Sequence, residues 1–256
     1  MKLYCIGTSH GKPEKNRKYT GMLLEVNGSY YVVDAGTSIE EFMINQELPV
    51  EKIKGIFITH AHADHIGAIP SLVCHIVFYK GAIGAKLYLP EKRVSSVLEE
   101  WLEAIHLSPR KSCPDWKNQS LSIGLAQEKL FFKDENIKVW GIRTDHIPGF
   151  ETFAYLVEAE GKRVLFTGDL SGDMHDYPSI ALKENLDAIV CELTHMRNRE
   201  KDGLSESVIE KLRGSLTKRF IFNHVHPKCE QLMDQKYGKE LKQRVEIARD
   251  GDVFEI

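Results

Sequence analysis

The sequence has no Cys-X-X-Cys pair, no internal repeat and no low-complexity segment. No apolar run approaches the roughly 20 residues that span a bilayer, so no membrane partner is expected. The N-terminal stretch Met1–Gly7 is too short in apolar length for a signal peptide. Five cysteines, Cys5, Cys74, Cys113, Cys191 and Cys229, are scattered without a pairing pattern. They read as reduced thiols, each a small buried hydrophobe, in a cytoplasmic protein. Basic charge is not in excess either: 34 Lys and Arg stand against 37 Asp and Glu, for a net charge of -3. Long nucleic acid is therefore not an expected partner, because no global positive field would hold it. A small phosphorylated substrate is compatible with this balance. With 256 residues, 42% of them hydrophobic, the chain can bury a substantial core.

Against these absences stands one dense cluster, Thr59-His60-Ala61-His62-Ala63-Asp64-His65. It follows the apolar run Ile53 to Ile58, which reads as a strand buried on both faces. The chain holds 11 His, and three of them fall here. Such a run cannot be buried without partners for its nitrogens and oxygens. Imidazole and carboxylate together suit zinc, manganese or iron better than magnesium or calcium.

Before the cluster, Leu3 to Ile6 reads as a strand ending at Gly7-Thr8-Ser9-His10-Gly11. A polar, basic loop follows, in which Arg17 or Lys18 either faces solvent or approaches a phosphate. Asn27-Gly28 between Gly21–Val26 and Tyr30–Val33 signals a hairpin. Asp34, at the end of the second strand, is either a partner for a metal-bound imidazole or a cap for a helix over 38–45. After the cluster, a helix is expected over 66–79, a strand over 86–89 and a helix over 93–106. The second helix carries Val94, Val97, Leu98, Trp101, Leu102 and Ile105 at helical spacing, read as a core stripe. Residues 108–127 have no clear periodicity and read as a lid, a subunit contact or a surface excursion.

Further strands are expected over 137–143, 152–158, 163–166, 186–191 and 220–222. A helix near 205–213, another near 230–237 and two short strands near 245–247 and 253–255 close the chain. His60, His146, Asp169, His195 and His224 each follow a separate expected strand. Ligands of α/β sheets gather where strand ends meet in a crevice. Five strand ends bearing metal-type residues make chance a poor explanation.

The His-X-His-X-Asp-His run after a strand resembles the signature of the metallo-β-lactamase-fold hydrolases. The resemblance implies a single domain, 1–256, in a four-layer αββα sandwich. It implies a first metal held by His60, His62 and His146, a second by Asp64, His65 and His224, and Asp169 as the bridge. The cofactors would be two divalent ions, zinc or manganese. His226 stands two residues beyond His224 and is the alternative ligand; His224, directly after its strand, is preferred. Two such ions about 3.5–4 Å apart lower the pKa of a bridging water and stabilise both oxygens of a displacement. Asp64 would also orient the attacking hydroxide. His195 and His226 are the candidate general acids, or else hydrogen-bonded supports of the ligands.

The order His146-Ile147-Pro148-Gly149, with Ile6-Gly7-Thr8-Ser9 and Asp34-Ala35-Gly36, is similar to the phosphodiesterase branch, which includes ribonuclease Z and the cyclic-phosphate phosphodiesterase of phosphonate metabolism. The expected activity is hydrolysis of a small or short phosphodiester. The alternatives are tRNA 3′-processing and thioester or lactam hydrolysis. A non-hydrolytic di-iron or dead-site protein is disfavoured, because His62 stands where di-iron relatives usually carry Glu and no ligand is lost. Glu192 matches a Glu-bearing strand end of ribonuclease Z, yet that family's Gly/Pro-rich arm and His-Ser-Thr element are missing. The four-cysteine site of the phosphonate enzyme is missing too. Relatives of this kind are often dimers, so a homodimer is expected.

Overall fold

The computed structural model describes residues 1–78, 84–105, 121–170, 185–194, 217–236 and 243–256, with the side chains of 78, 121–122 and 232–236 excepted. The first sheet contains β1 (Lys2–Gly7), β2 (Gly21–Val26), β3 (Ser29–Ala35), β4 (Ile53–Phe57), β5 (Ala85–Leu89), β6 (Leu121–Leu125) and β14 (Val253–Glu255), in the order β14-β1-β2-β3-β4-β5-β6. The second contains β7 (Leu130–Lys133), β8 (Ile137–Thr144), β9 (Thr152–Ala159), β10 (Lys162–Phe166), β11 (Ala188–Leu193), β12 (Phe220–Val225) and β13 (Val245–Ile247), in the order β13-β12-β11-β10-β9-β8-β7. Each sheet is antiparallel at one side and parallel at the other. In the first, β14 to β3 are antiparallel and β3 to β6 parallel. In the second, β7 to β10 are antiparallel and β10 to β13 parallel.

The layers follow from alternation along the strands. Tyr31 and Val33 of β3 point inward and pack with Phe57, Phe153, Tyr155 and Phe166 between the sheets. Val32, between them in sequence, faces the other way, onto helices α1 (Ile39–Asn45), α3 (Ile69–Phe78) and α4 (Lys92–Ala104). On the far face of the second sheet, Leu165, Ile189, Phe220 and Phe222 pack with Cys229 of α5 (Pro227–Lys236). This is the αββα sandwich expected from the resemblance. The Asn27-Gly28 hairpin forms as read, with φ of 50° and 71° suited to a two-residue turn.

Several expectations change. The helix read over 66–79 is two pieces, α2 (Ala63–Ile66) and α3, parted at Gly67-Ala68, where the Ala68 N–H donates to Ala35 O at 2.9 Å. Pro70 sits in the first turn of α3, where its missing N–H costs nothing. The stripe on α4 is only partly core: Leu98 and Leu102 are buried, but Val97, Trp101 and Ile105 are 53%, 48% and 44% exposed. Periodicity fixed which side of the helix is apolar, not how much of it the sheet covers. Part of the unreadable segment is strand β6, and β7 follows it; both are edge strands, short enough to leave little pattern. Cys5, Cys191 and Cys229 are buried as expected, whereas Cys74 is half-buried. The segments around Cys113, residues 108–120, the helix near 205–213 and His195 lie outside the described residues. Among the described residues, no helix is long and apolar enough to cross a membrane.

Candidate metal centre

The cluster begins as the chain leaves β4. Tyr155 Oη donates to Ile58 O at 2.5 Å, and the Phe153 N–H donates to Thr59 O at 2.9 Å. These bonds tie the cluster to the second sheet before the first histidine. Asp34, at the end of β3, accepts from the Thr59 N–H at 2.8 Å, pairs with the Thr59 hydroxyl and lies 2.8 Å from His65 Nδ1. It is thus the partner of an imidazole. The helix cap is Ser38, whose hydroxyl accepts from the Glu41 N–H. With its Nδ1 engaged by a carboxylate, His65 turns Nε2 toward the centre of the cluster.

Gly36 lets this happen. A Cβ there would lie 1.8 Å from Asp64 O, so only a glycine allows β3 to pass so close to α2. Asp34 and His224 are themselves left-handed, with φ of 58° and 56°. Such backbone in non-glycine residues gathers at functional sites.

The second sheet brings the remaining groups one at a time. His146 follows β8, Asp169 follows β10, and His224 lies within the end of β12. Four side chains, His60, His62, His146 and Asp169, bring ligand-type atoms within 4.8 Å of one another. Asp64, His65, Asp169 and His224 do the same, and Asp169 belongs to both groups. All seven residues named from the sequence are therefore brought together.

The donor set fits divalent cations. His60 Nε2 and His146 Nε2 lie 3.0 and 3.3 Å from His62 Nδ1, so three ring nitrogens crowd into one space. Their distal nitrogens are held elsewhere: His60 Nδ1 by the Thr59 hydroxyl at 3.1 Å and His146 Nδ1 near Leu170 O at 3.4 Å. His65 Nε2 and Asp169 Oδ1 are buried 3.3 Å apart without forming a hydrogen bond. Buried polar atoms without a hydrogen bond cost about 1–3 kcal/mol each, and a cation beside the pair would satisfy both.

Electrostatics agree. Burial opposes ionisation of Asp64 and Asp169, but the facing imidazoles of His224 and His65 overcome it and hold both carboxyls well below the usual range. Burial pushes His60 and His146 down, keeping their rings neutral and able to ligate. His65 is pushed down by burial and pulled up further by Asp169 and Asp34; bound cations would cancel that pull.

Two neighbours of the centre were not given roles from sequence. Glu192, at the end of β11, is buried; its Oε1 accepts from the Leu170 N–H at 2.6 Å and its other oxygen from the Thr194 hydroxyl. Burial and the charge of Asp169 push its carboxyl well above the usual range. Its position at a strand end, like the other groups, was the available signal. Phe150 stacks on His62, with centroids 4.8 Å apart and planes at 29°; a lone aromatic in a turn gives no signal of this kind.

Arg17 does not approach the centre. Its buried guanidinium donates to the Thr8 hydroxyl at 2.6 Å, Ala248 O at 2.7 Å and Glu230 at 3.2 Å, fastening the first loop to α5. The Lys18 side chain stays exposed, while its N–H donates to Asp250 at 2.6 Å. His226 follows β12 and begins α5: its carbonyl accepts from the Cys229 and Glu230 N–H groups, and its Nδ1 accepts from the Lys228 N–H at 3.1 Å. It is the N-cap, with Pro227 at the first helical position. A ring that accepts at Nδ1 carries its proton at Nε2.

The chain is 30% identical over 159 residues to a ribonuclease Z of Methanocaldococcus jannaschii, covering 61% of this chain and 47% of that protein. It spans about half the length of that relative and of a ribonuclease Z of Bacillus velezensis, where it covers 49%. Its fold matches that of human tRNase Z, short form, with a TM-score of 0.71 at 20% identity, covering 100% of this chain and 99% of that one. It also matches the metallo-β-lactamase-fold protein YhfI of Bacillus subtilis, with a TM-score of 0.72 at 18% identity, covering 99% and 98%. The fold is that of the metallo-β-lactamases. Residues 1–248 match the family described as Anti-Pycsar protein Apyc1, and the chain belongs to that family.

Proposed function

We propose that this protein is a dinuclear metal-dependent hydrolase that cleaves the phosphodiester bond of a small or short phosphate ester. One observation carries the reading: two sets of four ligand-type side chains share a single carboxylate, Asp169. In this reading His60, His62 and His146 would hold one cation, Asp64, His65 and His224 would hold the other, and Asp169, common to both groups, would serve each. Zinc and manganese fit these nitrogen and oxygen donors. Such a pair, when bound, supplies an acidified water and charge to offset both oxygens of a displacement at phosphorus.

The chain's own residues do the rest. Asp34 fixes the tautomer and tilt of His65. Asp64, ionised, orients the attacking oxygen and also ligates. His195 and His226 are the candidate general acids for the departing oxygen. Family membership and the ribonuclease Z relative support phosphodiester chemistry over thioester chemistry. The net charge of -3 supports a small substrate over a long nucleic acid. In this reading residues 1–256 work as one domain, five cysteines without a pairing pattern suit the cytoplasm, and a homodimer is what the resemblance alone suggests.

The test is metal analysis joined to a substrate panel. The purified protein should bind about two transition-metal ions per chain and hydrolyse bis-p-nitrophenyl phosphate in preference to a thioester. A protein that takes up no metal after reconstitution, or that cleaves only the thioester, would sink the proposal.

A further inference from the structure

The apolar stripe of α4 runs beyond the sheet that it packs on. Val97 and Trp101, one helical turn apart, are 53% and 48% exposed. Single apolar side chains on a surface are ordinary, but a contiguous apolar patch marks a contact. Both residues line a cavity of about 520 Å³. Sites for small molecules measure about 300–1,000 Å³.

The cavity adjoins the metal centre. α4 supplies one wall, and α2 with the first turn of α3 supplies another. Ala61, between His60 and His62 in the chain, lines it, as does Ile66 at the end of α2, the helix that carries Asp64 and His65. Phe150 belongs to both places: it lines the cavity and stacks on His62, with ring centroids 4.8 Å apart. Its placement follows from the sequence Ile147-Pro148-Gly149-Phe150. The Phe150 N–H donates to Ile147 O at 3.1 Å, and Gly149 is left-handed at φ 78°, as the third position of a type II turn requires. Proline suits the second position of that turn. The chain is thus turned back just after His146, and the ring of Phe150 meets His62.

The lining chooses among ligands. Glu91 and Arg93 are its charged residues and are opposite in sign, while the others are apolar. Such a lining offers no net charge to a second phosphate, and it suits a neutral group. Trp101 and Phe150 narrow that group to a flat ring, because aromatic pairs gain energy beyond the area that they bury.

We propose that this cavity is a binding subsite for a neutral aromatic ring carried by the ester group of the substrate. The phosphate end of that molecule rests on the hydrolase reading given above; the ring end rests on the cavity alone. With the phosphate at the metal centre, the ester group passes Phe150 and its ring lies along Val97 and Trp101.

The experiment uses the zinc-loaded full chain and two phosphonates, whose C–P bond resists hydrolysis: methylphosphonate and 2-naphthylmethylphosphonate. Calorimetric titration should find the naphthyl probe bound about 50-fold more tightly. Trp101→Ala should shrink that ratio about tenfold, and Val97→Glu, on the same half-exposed wall, by about as much. Ile44→Glu, equally exposed on α1 at 55% but outside the cavity, should leave the ratio unchanged. Thermal melts check that each variant is folded. In NMR, 2-naphthylmethanol, which has no phosphonate, should give NOEs to the methyl groups of Ala61, Ile66 and Val97. A ratio near one, equal losses for both phosphonates in Trp101→Ala, or no NOE to these methyls would overturn the proposal. The last result is also what a second copy of the chain seated on this wall would give. If neither phosphonate binds and no phosphodiester is cleaved, the hydrolase reading fails, and the NOEs then decide the ring subsite by themselves.

Discussion

The two sheets build the metal centre in opposite ways. The first supplies His60, His62, Asp64 and His65 from one loop and one short helix, all after β4. The second supplies His146, Asp169 and His224 from three separate strand ends. In the first the geometry is local, set by φ and ψ over six residues and by the close approach of Gly36. In the second it is global and depends on the register of β8 to β12. Damage to the first should therefore act through local fit, and damage to the second through the loss of single donors.

The largest effect is expected where the two meet. Asp169→Ala removes the one side chain common to both groups, and should lower phosphodiesterase activity about 10³-fold and bound metal below two per chain, checked by kinetics and elemental analysis. Next comes the close approach on the first side. Gly36→Ala places a Cβ against the Asp64 carbonyl and should cost about 3 kcal/mol of stability, measured by denaturant unfolding, with metal affinity lost as well. An equal loss of stability from Asp169→Ala would erase the contrast between local fit and single donors. Asp34→Ala should lower metal affinity about 10–100-fold, read by competition with a chelator, because His65 loses the partner that aims it.

Glu192→Gln sharpens the comparison through pH. The Glu192 carboxyl is held above its usual range by burial and by Asp169. Its contribution to folding is thus full below the unfolded pKa and is lost as pH rises through the folded one. In the metal-free protein, the wild type should lose stability relative to the glutamine variant as pH rises above about 4.3, seen in melts across pH; parallel profiles would remove Glu192 from the balance. The smallest effect is at the start of α5. His226→Asn keeps a capping side chain and should cost less than about 0.5 kcal/mol, whereas His226→Ala should cost about 1 kcal/mol, with melting temperature as the measure.

Legibility from sequence follows the same divide. The run from His60 to His65 was plain because its donors lie within one loop, and the hairpin at Asn27-Gly28 because turn chemistry is local. His146, Asp169 and His224 stand out in the sequence by their places at strand ends; His224 Nε2 lies 2.9 Å from Asp64, whereas His226 caps a helix. Three features were not legible. The exposed half of the α4 stripe depends on how far a neighbouring sheet extends. The break at Gly67-Ala68 depends on a bond to Ala35, distant in the chain. The role of Arg17 depends on Ala248 and Glu230, which no spacing connects to it. In each case the deciding partner is remote, and a pattern read along the polymer does not contain it.

The staggered origin of the donors has a consequence for biosynthesis. The donors His60, His62, His146 and Asp169 are all synthesised before His224. At about 5–20 residues per second, several seconds separate the making of Asp169 from that of His224. Because β11, β12 and β14 come later still than β10, neither set has its full scaffold until the last strands are made.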